Sequence, residues 1–168
     1  MSRPRLAWVL TAGAAAVALF LFWPLFPVFE IVDGRNGSAA FCTRARTGEE
    51  VVLSFVHSVN RRPVYDTLRI ESDHLVIVRS RFDSFGAGMP DVSTQDGTLS
   101  IAEDGWLEWV VNRPVPEVTV RVGRVADHTL RYRGRDIRLS DLAEPGSALT
   151  LRVRKSSWLH LLRNRGIS

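Results

Sequence analysis

Val51-Val52-Leu53-Ser54-Phe55-Val56-His57-Ser58-Val59 sets Val51, Leu53, Phe55, His57 and Val59 on one face of an extended chain and Val52, Ser54, Val56 and Ser58 on the other. A period of two is the signature of a half-buried strand. The same period returns at Val118, Val120 and Val122, at Leu130 and Tyr132, and at Leu149, Leu151 and Val153. Candidate strands run near 38–46, 50–59, 64–72, 74–83, 97–102, 106–112, 117–123, 128–133, 136–139 and 148–154. Turn residues divide them: Thr47-Gly48, Ser72-Asp73, Asp96-Gly97, Asp104-Gly105, Arg133-Gly134 and Pro145-Gly146. Crossover helices, which a mostly parallel sheet needs, are missing. The reading is all-β: an antiparallel sandwich or barrel of about 8–10 short strands, preceded by one N-terminal transmembrane helix.

That helix comes from the other end of the composition. Leu6 to Phe29 is 24 residues without a charge, with Arg3 and Arg5 before it and Glu30 after it. Pro24 and Pro27 stop a helix, so the expected span is residues 6–23. Its 18 residues reach about 27 Å, close to the bilayer core. Trp8 and Trp23 stand where interfacial aromatics are favoured. The flanking arginines place the N-terminus in the cytoplasm, the helix in the cytoplasmic membrane, and the β domain outside it. A cleaved signal peptide competes, with Ala16-Val17-Ala18 as its site. Cleavage there leaves the apolar run from Leu19 to Pro27 as a mature N-terminus, which favours an uncleaved anchor. Lipoprotein processing fails, because Cys42 follows Phe41 far beyond the apolar run. The organisation expected is 1–29 stub and anchor, 30–155 β domain, and 156–168 a short basic amphipathic helix. Ser156 or Ser157 caps that helix, which runs over Trp158 to Arg165.

Charge excludes one function class. The net charge is +4, but without Arg3 and Arg5 the 20 basic and 18 acidic residues nearly balance, which is no nucleic-acid footprint. The balance is uneven along the chain: net −5 from Glu30 to Val110 and net +7 from Val111 to Ser168. If their strands are neighbours, Arg121, Arg131, Arg133, Arg138, Arg152 and Arg154 form one basic sheet face, partly neutralised by Asp127, Asp136 and Asp141. One cysteine rules out a disulfide framework. The four histidines, His57, His74, His128 and His160, are dispersed without ligand spacing, so no metal and no cofactor are expected.

Two segments carry unusual chemistry. His57 stands at the end of its strand, followed by Ser58, Asn60, Arg61, Arg62, Tyr65 and Asp66. Asp66 is the nearest carboxylate that can cross back over the hairpin. The ordinary reading of His57 is a core histidine bonded to a carboxylate; the functional one is a ligand group or general base. The second segment is Ser84-Phe85-Gly86-Ala87-Gly88-Met89-Pro90, whose glycines permit a loop with converging amides, or a tight bend at a sheet corner. It lacks the third glycine of the dinucleotide fingerprint and the flanking glycines of the serine-hydrolase elbow. A triad of Ser58 or Ser84, His57 and Asp66 is drawn from residue types alone.

His57-Ser58-Val59, then Pro63-Val64-Tyr65-Asp66, then Ser84 to Pro90, in order and about 26 residues apart, resemble domain-of-unknown-function family 1850. The resemblance covers roughly residues 29–155. The family often carries an acidic residue where this chain has Asn60, and Glu where it has Asp66. The resemblance implies a small membrane protein encoded beside the permease of TAXI-type TRAP transporters, which take up organic acids through an extracytoplasmic binding protein. The expected function is therefore an anchored accessory protein that contacts the permease or its substrate-binding protein, with an organic acid as the ligand class to test. Its ligand or partner patch is His57, Ser58, Arg61, Arg62, Tyr65, Asp66, Ser84, Phe85, Gly86, Ala87, Gly88 and Pro90; no catalytic residue is assigned. The alternatives are an envelope hydrolase with His57 as general base, and a ligand-free structural module.

Overall fold

Phe26-Pro27-Val28-Phe29-Glu30-Ile31-Val32-Asp33 shows no alternation, and the structure explains why. The computed structural model describes residues 3–163, with side chains placed for 8–162. In it Phe26–Asp33 is strand β1, and nearly every residue of it is buried. A strand covered on both faces carries no period of two, so sequence reading joins Phe26–Phe29 to the apolar segment before them. Helix α1 (Arg3–Phe22) precedes it. Among the described residues no helix is long and apolar enough to cross a membrane. The side chains of Arg3 and Arg5 lie outside the described residues.

The remaining elements follow the expected strands closely. They are β2 (Ala39–Arg44), β3 (Glu50–Val56), β4 (Pro63–Ile70), β5 (Leu75–Phe82), β6 (Thr98–Ile101), β7 (Leu107–Val115), β8 (Glu117–Arg121), β9 (Thr129–Tyr132), β10 (Arg135–Arg138), α2 (Leu139–Leu142), β11 (Ala148–Ser156) and α3 (Trp158–Arg163). The strands form a four-stranded sheet, ordered β2-β1-β11-β8, and a seven-stranded sheet, ordered β10-β9-β3-β4-β5-β7-β6. Neither sheet closes on itself, so the barrel alternative is dropped. Every strand pairing in the two sheets is antiparallel.

The core lies between the sheets. Phe29 and Ile31 of β1 and Leu149 and Leu151 of β11 meet Val51, Leu53, Leu68, Ile70 and Leu130 of the larger sheet. Burying side chains of this size stabilises by about 1.5–3 kcal/mol each before chain entropy is charged against it. The alternate residues of β1 face the other way. Phe26 and Val28, with Cys42 of β2, are covered by Leu161 and Trp158 of α3. Ser157 Oγ accepts from the His160 backbone N–H, the cap expected from sequence. Asn164 and Arg165, which sequence assigns to the same helix, lie outside the described residues.

Between these apolar contacts sits Glu30, 1% exposed. Arg154 Nε donates to both of its oxygens at 3.0 Å, and Arg152 Nε and a terminal nitrogen donate to Oε2 at 3.3 and 3.2 Å. His160 Nε2 lies 2.8 Å from Oε1 and 2.6 Å from a terminal nitrogen of Arg154, so α3 is tied to β1 by polar contacts as well as by packing. Burial alone raises the Glu30 carboxyl. Hydrogen bonds from His160, Arg154 and Arg152 outweigh it and hold the group below the usual carboxylate range.

The single basic face therefore does not form. Arg121, Arg152 and Arg154 lie on the smaller sheet, and Arg131, Arg133 and Arg138 on the larger. Arg131 pairs with Asp136 at 2.7 Å, Arg133 with Glu49 at 2.8 Å, and Arg152 and Arg154 with Glu30. Alternation tells which residues leave the core between the sheets. It does not tell that α3 covers the far side.

The two ends of the sandwich differ. The chain enters β1 from α1, and β11 returns to the same end, with Phe26 opposite Ser156. Ala45 N–H bonds Pro27 O there, so the β2–β3 turn lies at this base. β8 runs the other way to Arg121, opposite Ala148, and the segment after it bonds Val56 through Ala126 O. β3 thus runs from base to far end, about 20 Å at roughly 3.3 Å per residue.

Because the folded carboxyl of Glu30 titrates below its unfolded value, its stabilisation is present above the unfolded pKa and is lost as pH falls through the folded one. Glu30→Gln is expected to cost about 2 kcal/mol at neutral pH, less than the roughly 3–5 kcal/mol of a fully enclosed pair. The discount is needed because Arg152 and Arg154 are 38% and 42% exposed. Thermal melts of the full chain in detergent from about pH 7 to pH 3 check this: the gap between wild type and variant should close on acidification. A gap of constant size would assign the loss to packing instead.

Candidate functional site

His57 is the first residue past β3, and Asn60 lies at the turn of the hairpin that follows. The hairpin closes by His57 N–H to Arg62 O at 2.9 Å and Arg61 N–H to His57 O at 3.0 Å. Arg61 takes a left-handed φ of 58° to make that turn. The amide of Asn60 reaches across to the other segment, donating to the carbonyls of Ser84 and Phe85 at 3.3 Å each. Arg62 forms a two-pronged pair with Asp83, through Nε to Oδ1 at 3.0 Å and a second nitrogen to Oδ2. The two segments singled out in the sequence are therefore one surface at the far end of the sandwich.

Gly86 is fixed by that contact. A Cβ there would stand 2.8 Å from Asn60 Nδ2 and 3.3 Å from His57 Cε1, so a side chain there displaces the Asn60 amide that joins the segments. Gly88 serves a turn instead. Met89 N–H bonds Gly86 O at 3.0 Å, and Gly88, third of the four residues, has φ +81°, the geometry of a type II turn. The Ser84 to Pro90 loop is thus a bend whose inward carbonyls are taken by Asn60. Phe85 rests edge-on against Phe82 with ring centroids 6.1 Å apart, yet stays 50% exposed.

The hydrogen bonds of His57 decide what it can do. Its Nδ1 accepts the Val59 backbone N–H at 3.3 Å. With Nδ1 accepting, the neutral ring carries its proton on Nε2 and offers a donor on that side. Nor does Asp66 cross back to it. Asp66 pairs with Leu53, four residues before His57 and so about 13 Å down the strand, and its carboxylate takes the Ser80 hydroxyl at 2.5 Å. Burial raises the Asp66 carboxyl, with the Ser80 bond opposing. The triad of Ser58 or Ser84, His57 and Asp66 does not assemble. Tyr65 points to the other face of the sheet, where it meets Trp106 at 5.6 Å. Ser58, Arg61 and Ala87 are exposed at the tip, and Ser84 and Pro90 are half-buried.

Three residues without a role in the sequence reading complete the site. Asn60 joins the segments, Asp83 fixes Arg62, and His128 packs on Phe55 at 5.5 Å from the loop after β8. Burial pushes the His128 imidazole down, against the pull of Asp127. No sequence signal marks Asn60, because its partners are backbone carbonyls.

Glu30, Cys42 and His160 bring ligand-type atoms within 4.8 Å of one another. A cation there meets two guanidiniums already on the carboxylate, and burial, then the Glu30 charge, pushes the Cys42 thiol up to about 11. The chemistry fits an ion-pair network better than a metal centre. A cleft of about 600 Å³ opens between β2 and β10, lined by Phe41, Tyr132, Arg133, Arg135 and Ile137 among others. Arg133 is committed to Glu49, and none of the residues quoted from the two sequence segments lines it.

The Asn60–Gly86 contact gives a test. Gly86→Ala should lower stability by about 1–2 kcal/mol in a chemical melt. In an Asn60→Ala background the same substitution should cost markedly less, since the atom it strikes is gone. Additive losses would mean that the segments do not touch.

No curated protein and no solved structure matches the chain. A family model described as "Domain of unknown function (DUF1850)" matches residues 51–139. That span takes in all but the first residue of the seven-stranded sheet and both segments of the tip, and on this match the chain belongs to the DUF1850 family.

Proposed function

We propose that this protein is an anchored extracytoplasmic recognition module whose far-end tip docks a protein partner, in a TAXI-type TRAP transport system. The observation that carries the reading is the tip itself. Two segments about 26 residues apart are locked into one surface by Asn60 and Gly86, at the end opposite α1. The surface presents apolar groups beside donors: Val59 and Phe85, with Val125 from the neighbouring loop, around His57 Nε2, Ser58 and Arg61. Exposed aromatic and Arg side chains on a rigid scaffold are what protein interfaces are rich in. A surface of donors suits a partner that presents carboxylates or carbonyls, and Arg61 suits an organic acid held between the two proteins.

The anchor rests on the uncharged stretch from Leu6 to Leu25 and on the exposure of Trp8, Leu10, Val17, Phe20 and Phe22 along α1. Arginines at positions 3 and 5 orient it with the β domain outside the cytoplasm. A tip about 20 Å above the base then faces away from the bilayer. That position favours the soluble substrate-binding protein over the permease as its direct contact. The hydrolase alternative loses support, since His57 is arranged as a donor and Asp66 serves Ser80.

Co-purification tests the reading. The tagged full chain, extracted from native membranes in mild detergent, should bring a TRAP binding protein or permease in near-stoichiometric amount. Phe85→Asp and Val59→Asp should each cut that recovery by about tenfold or more at unchanged melting temperature, the size of a hot-spot loss. Recovery of the chain alone, while a control transporter stays assembled, would sink the transporter assignment. Undiminished recovery with both tip variants would move the interface elsewhere.

A further inference from the structure

The second apolar surface lies at the base, and α3 makes it. Its sequence, Trp158-Leu159-His160-Leu161-Leu162-Arg163, has four apolar residues in six. Leu161 is buried on Phe26, Val28 and Cys42, with Trp158 packed beside it. His160 is turned to Glu30. Leu159 and Leu162 point the other way and are 46% and 52% exposed. The helix is thus apolar on its inner and its outer side, a pattern that water does not support on a surface.

Its position says what covers it. Trp158 lies against Phe20 of α1, ring centroids 6.4 Å apart, and against Phe26 at 4.9 Å. Phe20 is three residues before Trp23, at the end of the apolar run. Trp23 and Leu25, on the link between α1 and β1, are 59% and 50% exposed and continue the same surface. The rim is basic. Arg44 stands over the rings of Phe26 and Trp158, and Arg46 and Lys155 are exposed nearby at the base. Apolar residues with tryptophans and a basic rim match the headgroup layer of a membrane rich in anionic lipid.

We propose that α3 is an interfacial helix whose Leu159 and Leu162, with Trp23 and Leu25, are seated in the headgroup–acyl boundary of the membrane that holds α1. This rests on the anchoring described above and adds to it. The domain is then held upright by two contacts, a spanning helix and a seated one, so the tip keeps a fixed height and orientation.

Single cysteines read this directly. Cys42 is buried with its thiol pushed up to about 11, so labelling selects an introduced exposed cysteine. Leu159→Cys, Leu162→Cys, Val17→Cys in α1 and Val125→Cys at the tip are each labelled with the NBD fluorophore. The full chain is placed in phosphatidylethanolamine–phosphatidylglycerol vesicles with or without doxyl-labelled lipid. Positions 17, 159 and 162 should be blue-shifted and quenched by the doxyl lipid, and 125 should be neither. A quenched 17 beside aqueous 159 and 162 overturns the seat and leaves the anchor. An aqueous 17 overturns both. Blue-shifted but unquenched 159 and 162 would mean that protein, not lipid, covers the face, which also overturns the proposal.

Discussion

The base of the molecule depends on the neutralisation of one buried carboxylate. Glu30 sits on the central pair of the smaller sheet, where β1 and β11 join the two ends of the folded chain. An ionised carboxylate at 1% exposure is tolerable only when paired and hydrogen-bonded. Arg152 and Arg154, two residues apart on β11, reach it from one side, and His160 reaches it from α3. A pair of this kind is weak evidence of net stabilisation, since desolvation opposes it. Its consequence is geometric. With its carboxylate directed at His160, α3 has one place to dock, and that place sets where its outer leucines point.

The same strand pair divides the molecule into ends with different surfaces. Below, large apolar side chains remain exposed along α1, the link and α3. Above, Val59, Phe85 and Val125 are exposed on loops that are rigid by internal bonding. A single soluble domain has little reason to leave apolar groups at opposite ends, since each exposed cluster invites association. The two contacts proposed above, lipid at the base and protein at the tip, give a reason for both.

How much of this was legible depended on what each residue touches. The larger sheet reads well because its strands are half-buried, so Val51, Leu53 and Leu130 alternate cleanly with polar neighbours. β1 does not read as a strand because α3 covers its far face and removes the alternation. For the same reason Arg152 and Arg154 look like surface residues, although their partner is the least exposed acid in the fold. At the tip, sequence finds His57 and the glycine loop by their unusual composition and misassigns Asp66. Hairpin adjacency suggests a return to His57, but strand register places Asp66 four residues away and gives it Ser80. Asn60, which joins the segments, is hidden because side chain to backbone bonds leave no complementary residue to find.

The division also runs along the sequence. Residues 51–139, the span matched by the family model, contain His57, Asn60, Asp83, Ser84 to Pro90 and His128. They contain none of Glu30, Cys42, Arg152, Arg154 or His160. The matched span folds the larger sheet and the tip, while β1, β2 and β11, with α1 and α3, supply the base from the two flanks. The larger sheet cannot stand without them, because Phe29, Ile31, Leu149 and Leu151 fill the other half of its core. The tip and the base are therefore built from different stretches of chain but share one core. Any tilt of the base is carried to the tip through strands that run the full height between them.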